Sequence, residues 1–102
     1  MSQTILPQDP AEAVSVMTEI TRRLLIAMKG EASAIGQKSE AAMLDVEVLK
    51  EKLVPMYQMA AEEFAGRIEE FRDVAPPLLS DLQSVQEELG NVARENQFNL
   101  AS

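Results

Sequence analysis

The chain has 102 residues, a formal net charge of −8, and neither histidine nor cysteine. This length gives room for one domain with one modest core. The acidic balance argues against binding to nucleic acid or to an anionic membrane surface, since both need a basic face.

The first predicted helix begins at Pro10. Asp9 is a suitable N-cap, proline is favoured at the first helical position, and Glu12 stands at the third. Residues 1–8, which precede this start, are expected to form a flexible N-terminus. The apolar side of this helix is formed, at helical spacing, by Val14, Met17, Ile20, Leu24, Met28 and Ile35.

Two glycines compete for the end of this helix. The helix either stops at Gly30, or continues through it at a cost of about 1 kcal/mol relative to alanine and stops at Gly36. We favour Gly36, because residues 31–35 keep helical character and the four residues from Gly36 resemble a turn. The first helix is therefore predicted over about residues 10–35.

A second, longer helix is predicted over about residues 39–73. Its apolar positions recur every three or four residues: Val46, Leu49, Leu53, Met56, Ala60, Phe64, Ile68 and Phe71. Pro55 lies inside this stretch and removes one backbone hydrogen bond. Because the apolar spacing keeps its phase across the proline, we predict one continuous helix that is kinked at Pro55.

Ala75-Pro76-Pro77 separates the second helix from a third, which is predicted over about residues 77–98. Three helices joined by two short turns predict an all-α fold, an antiparallel up-down three-helix bundle in one domain spanning residues 1–102. The turns should fall near Gly36 and Pro76. The side chains expected in the core are Leu24, Leu49, Leu53, Phe64, Leu82 and Leu89.

Catalytic chemistry has little support in this composition. Without imidazole or thiol, the commonest general base at neutral pH, the best nucleophile and the usual transition-metal ligands are missing. Adjacent acidic pairs such as Glu62-Glu63 must point at least one carboxylate to water, and no Gly-rich phosphate loop is present. We therefore expect no enzyme activity, no metal and no cofactor.

The location of the protein is inferred from signals that are missing. The longest apolar run, residues 24–28, is far shorter than the roughly 18–20 residues that span a bilayer. The N-terminus lacks the basic and apolar segments of a secretory signal. We expect a cytoplasmic protein that does not insert into membranes.

Two segments are candidates for contact with a partner protein. Met56 and Met59 flank Tyr57 next to Pro55, and methionines there serve either as core filler or as an adaptable binding surface. In the third helix, Asn96 stands where the apolar spacing predicts leucine. Such an amide either fixes helix register, receives a partner's backbone, or belongs to a frayed C-terminus.

The chain resembles the flagellar type III export chaperones of the FlgN type. The similarity lies in three short motifs: Glu31 to Ile35 followed by Gly36, Lys50-Glu51-Lys52-Leu53, and Asn96-Gln97-Phe98-Asn99-Leu100. The resemblance implies a cytoplasmic chaperone that binds amphipathic helices of secreted hook–filament junction proteins and delivers them to the export apparatus.

On that hypothesis, the third helix is the element that binds cargo. It has the most regular apolar spacing and a polar residue within it, and it lies near the end of the chain. The predicted partner-binding residues are Leu82, Val85, Leu89, Val92, Asn96, Phe98, Asn99 and Leu100.

Two alternatives stay open. The chain could be a structural or secreted helical bundle that self-associates in the manner of a coiled coil, without dedicated cargo. A homodimer, or cargo on the same surface, is also expected on geometric grounds, because a second helix longer than its neighbours leaves part of its apolar surface uncovered.

Overall fold

The computed structural model describes residues 4–101, and all regular structure in that range is helical. The elements are α1 (Pro10–Gln37), α2 (Glu40–Gly66), a short 3₁₀ helix (Ile68–Phe71) and α3 (Pro76–Ala101). This confirms the all-α three-helix fold. α1 lies between α2 and α3 and makes the main helix–helix contacts with each of them. The bundle is flat, measuring 45 × 32 × 17 Å along its principal axes.

The core is centred on α1. Because α1 packs on both neighbours, it buries a broad side of its surface, whereas the buried residues of α2 are Leu53 and Ala60. Of the six core residues predicted above, four are buried and Phe64 is half-buried. The main buried apolar side chains are Leu6, Val14, Met17, Ile20, Leu24, Leu25, Leu53, Phe71, Val74, Leu82, Val85 and Leu89.

Leu49 is exposed over 44% of its surface, so the prediction that it is buried was wrong. At this level α2 turns other side chains toward α1. Lys50 reaches Glu31 of α1, and the Val46 side chain lies against Gly30. Leu49 lies roughly 100° from Lys50 around the helix axis, at the edge of the contact with α1, and remains partly in solvent.

α1 continues through both glycines and ends at Gln37, two residues beyond the predicted end. Lys38 then adopts the left-handed conformation, with φ 54°. Its N–H donates to the carbonyls of Ala34 and Ile35, and Ser39 caps α2 by accepting from the N–H of Ala42. The turn thus lies close to Gly36, but the left-handed position that glycine would favour is occupied by a lysine.

Lys38→Gly is therefore expected to stabilise the protein by about 1 kcal/mol, because glycine adopts the left-handed conformation without the penalty that a Cβ brings. Lys38→Ala is the matched control, since it removes the same charge but keeps the Cβ. Urea denaturation of both variants measures the difference. A Lys38→Gly variant no more stable than Lys38→Ala would show that this turn stores no such strain.

α2 runs without a break through Pro55 and ends at Gly66, rather than at residue 73 as predicted. The aromatic rings explain the early end. Phe64 and Phe71 stack with their centroids 4.3 Å apart, whereas a continuous helix would separate these positions by roughly 10.5 Å along its axis. The chain changes direction after Gly66, because Arg67 leaves the helical conformation with φ −116° and ψ 16°, and this bend brings the two rings together. The Arg67 guanidinium lies over the Phe71 ring, 5.5 Å from its centroid.

Residues 4–8 are held against α2, where the sequence predicted a flexible N-terminus. The backbone N–H groups of Ile5 and Leu6 donate to the Glu63 carboxylate, at 2.8 to 3.1 Å. Arg67 donates to the carbonyls of Pro7 and Gln8, and the Leu6 side chain is buried in the core. The predicted segment also includes residues 1–3, which lie outside the described residues.

Candidate partner-binding site

A polar cluster joins the three helices at the end of the bundle that holds the C-terminal half of α3. The Asn96 amide nitrogen donates to the Met28 carbonyl at 2.7 Å and to Glu31 Oε1 at 2.9 Å. The other carboxylate oxygen of Glu31 accepts from Lys50 Nζ at 2.7 Å. Each of the three helices thus contributes one side chain: Glu31 from α1, Lys50 from α2 and Asn96 from α3.

This polar cluster is largely shielded from water. Asn96 is 1% exposed and Glu31 is 6% exposed, whereas the Lys50 side chain keeps some contact with solvent. Both neighbours of the Asn96 amide, the Met28 carbonyl and Glu31 Oε1, are hydrogen-bond acceptors. The amide nitrogen must therefore face them, and this fixes the orientation of the side chain. Asn96 Oδ1 has no hydrogen-bond partner among the described residues. A buried charge pair adds little net stability, and its best-attested role is to fix register.

The structure divides the predicted partner-binding residues into two groups. Leu82, Val85 and Leu89 are buried in the core shared with α1. All three were expected to meet a partner, and Leu82 and Leu89 were also expected in the core; in the folded chain they hold α3 to the bundle. The reason is that α1 is apolar on two sides. One side packs against α2, and the apolar side of α3 covers the other. Val92 is half-buried against the same core, and Asn96 belongs to the polar cluster.

The remaining predicted residues lie beyond Asn96 and are exposed. Phe98 is 74% exposed and Leu100 is 55% exposed, while Asn99 between them is also exposed. The segment is still helical. We call residues 97–100 the α3 end. It presents two large exposed apolar side chains, Phe98 and Leu100, on helical backbone.

Sequence reasoning alone did not identify the pairing of Glu31 with Lys50 and Asn96. The three residues were singled out in three separate motifs, and the structure brings them into one contact. A signal was available for Glu31: it follows Leu24 by seven residues and Met28 by three, which places a carboxylate on the apolar side of α1. A charged residue at such a position needs a partner.

The methionine-containing segment around Pro55 is divided between the core and the surface. Met56 and Tyr57 pack partly against the core, whereas Met59 is exposed. Burial raises the pKa of the Tyr57 phenol above its ordinary value of 10.0.

A shallow apolar groove lies between the end of α2, the 3₁₀ helix and the start of α3. It is lined by Phe64, Ile68, Phe71, Leu79 and Leu82, with Arg72, Gln83 and Gln86 at its edge. The groove is open to solvent, and Ile68 is its most exposed apolar residue.

Residues 4–101 contain neither a candidate metal site nor a candidate membrane span. Within this range no cluster of three or more acidic side chains is arranged to hold a metal ion. No helix of the described chain has the length and apolar character needed to cross a bilayer. The chain matches no protein-family model, no curated protein and no solved structure.

Proposed function

We propose that this chain is a cytoplasmic export chaperone of the FlgN type. In this role it binds amphipathic helices of secreted flagellar hook–filament junction proteins and delivers them to the type III export apparatus. The observation that carries the proposal is the exposed apolar α3 end, together with the resemblance in the motif Asn96–Leu100.

The α3 end is suited to helical cargo because it is both rigid and apolar. Asn96 attaches α3 to α1 through hydrogen bonds to the Met28 carbonyl and Glu31. These bonds hold the helix in place directly before residues 97–100. Phe98 and Leu100 are two residues apart, which places them on nearly opposite sides of the helix. A helix end that is apolar on two sides can pack between two helical segments of a cargo.

The buried residues of α3 have a supporting role in this proposal. Leu82, Val85 and Leu89 pack against α1 and position the helix. Phe98, Asn99 and Leu100 are the residues that contact the cargo directly. The predicted partner-binding set is thereby narrowed to its exposed members.

A pull-down from lysate of the native host tests the proposal. The bait is the intact chain, compared with a Phe98→Asp/Leu100→Asp variant. Carboxylates at these positions should reduce cargo recovery at least about tenfold, because they would enter an apolar contact without partners. Both residues are exposed, so folding should be unaffected, and circular dichroism checks this.

The matched control is Ser84→Asp/Asn91→Asp, which adds the same charge to α3 at exposed polar positions outside the α3 end. The control should recover the same junction proteins as the intact chain. If all three baits returned identical partners, the α3 end would have no part in binding. If the intact chain recovered no secreted helical protein, the chaperone proposal itself would be refuted.

A further inference from the structure

The outer side of α2 carries a row of apolar residues that faces away from the bundle. Leu44, Val48, Pro55 and Met59 follow one another at intervals of four, seven and four residues, which aligns them along one side of a helix. All four are exposed, and the exposed fractions of Leu44 and Val48 are 67% and 58%. We call these four residues the α2 strip.

The α2 strip is long enough to receive a helix from another protein. From Leu44 to Met59 it extends roughly 22 Å, about four helical turns. It also includes a backbone acceptor, since Pro55 has no N–H to donate to the carbonyl of Glu51. A polar donor on a partner can use that carbonyl.

Carboxylates border the α2 strip along one edge. Glu40, Glu47, Glu51 and Glu62 are exposed and lie at helical spacing beside it. Of these four carboxylates, Glu47 forms an ion pair in the described chain, with Lys50 at 3.8 Å, and the other three form none. The edge is therefore strongly acidic and mostly uncompensated.

We propose that the α2 strip and its acidic edge dock a basic amphipathic helix of another protein. Leucine-like side chains of that helix would cover Leu44, Val48 and Met59, while its lysines or arginines would face Glu51 and Glu62. Charge complementarity selects this occupant. A second copy of the chain would bring an identical acidic edge to the contact, and an anionic membrane would be repelled. This surface is separate from the α3 end and does not depend on the export-chaperone proposal.

An NMR titration at low ionic strength tests the docking surface directly. The probe is a synthetic 18-residue amphipathic helix of leucine and lysine, and its counterpart of leucine and glutamate serves as the charge control. The basic peptide should perturb the amide signals of residues 40–62. Its affinity should fall as salt is added, because exposed charges are screened. The acidic peptide should not bind.

Site variants separate this contact from non-specific attraction. Leu44→Ser/Val48→Ser should weaken binding of the basic peptide at least about tenfold, since apolar burial is lost. Ile26→Ser, which changes an exposed isoleucine on α1, should leave the affinity unchanged. Glu51→Gln/Glu62→Gln should weaken binding about fourfold, whereas Glu87→Gln/Glu95→Gln on α3 should have less effect.

Several results would overturn this inference. They include perturbations centred on the α3 end or on the groove between Phe64 and Leu82, and equal binding of the two peptides. A homodimer seen by sedimentation and abolished by Leu44→Ser/Val48→Ser would assign the strip to a second copy instead. Loss of peptide binding in Phe98→Asp/Leu100→Asp would also count against a separate surface.

Discussion

Asn96→Asp is expected to lower the free energy of unfolding by about 3 kcal/mol or more at pH 7. The substitution keeps the shape of the side chain but replaces the donating nitrogen with an oxygen. That oxygen would face the Met28 carbonyl and Glu31 Oε1, which the nitrogen now contacts at 2.7 and 2.9 Å. The new carboxylate would face the carbonyl and Glu31 Oε1 with no hydrogen between them, while Lys50 Nζ donates to the other oxygen of Glu31.

The pH dependence of the Asn96→Asp variant provides a second measurement. Its new carboxyl group should have a folded-state pKa above the unfolded value of about 3.9. Such a shift destabilises the fold as the pH rises above the unfolded pKa, so the deficit should shrink when the pH is lowered towards 4. Asn96→Leu is the control. It should cost less and show no such pH dependence, and equal losses in both variants would contradict the electrostatic explanation.

Lys50→Met is expected to cost about 2 to 3 kcal/mol. Removing the ammonium leaves Glu31, which is 6% exposed, with Asn96 as its remaining partner. Breaking a fully buried pair typically costs 3–5 kcal/mol, and we reduce that figure because the Lys50 side chain is 24% exposed.

The chain offers a close control for the Lys50→Met variant. Lys52 lies two residues along the same helix, is exposed and makes no ion pair in the described chain. Lys52→Met should therefore change stability by less than about 0.5 kcal/mol. Adding Glu31→Gln to Lys50→Met should restore at least half of the loss, because the buried charge is gone. If Lys50→Met and Lys52→Met were equal, the polar cluster would contribute nothing to stability.

The starts of the helices were predictable because they depend on local chemistry. Asp9 caps α1 through the N–H of Glu12, and Pro76 opens α3. The end of α2 was not predictable, because Phe64 and Phe71 keep helical phase in sequence but stack through a bend. That bend depends on a tertiary contact, and periodicity does not report such contacts.

The candidate site was only partly predictable for a similar reason. Apolar spacing on α3 identified Leu82 and Leu89 as contact residues, but it cannot distinguish contact with α1 from contact with another protein. The polar cluster needed three helices in register before Glu31, Lys50 and Asn96 could meet. Similarly, the docking of Ile5 and Leu6 on Glu63 joins residues nearly sixty positions apart.

Site-specific photo-crosslinking in the native host tests the central claim most directly. A photoreactive phenylalanine analogue is placed at position 98, at the α3 end, or at position 26, an exposed site on α1. Our account predicts that position 98 crosslinks to helical segments of secreted flagellar junction proteins and that position 26 does not. Crosslinks from position 98 only to other copies of this chain, or the same partners from both positions, would contradict it.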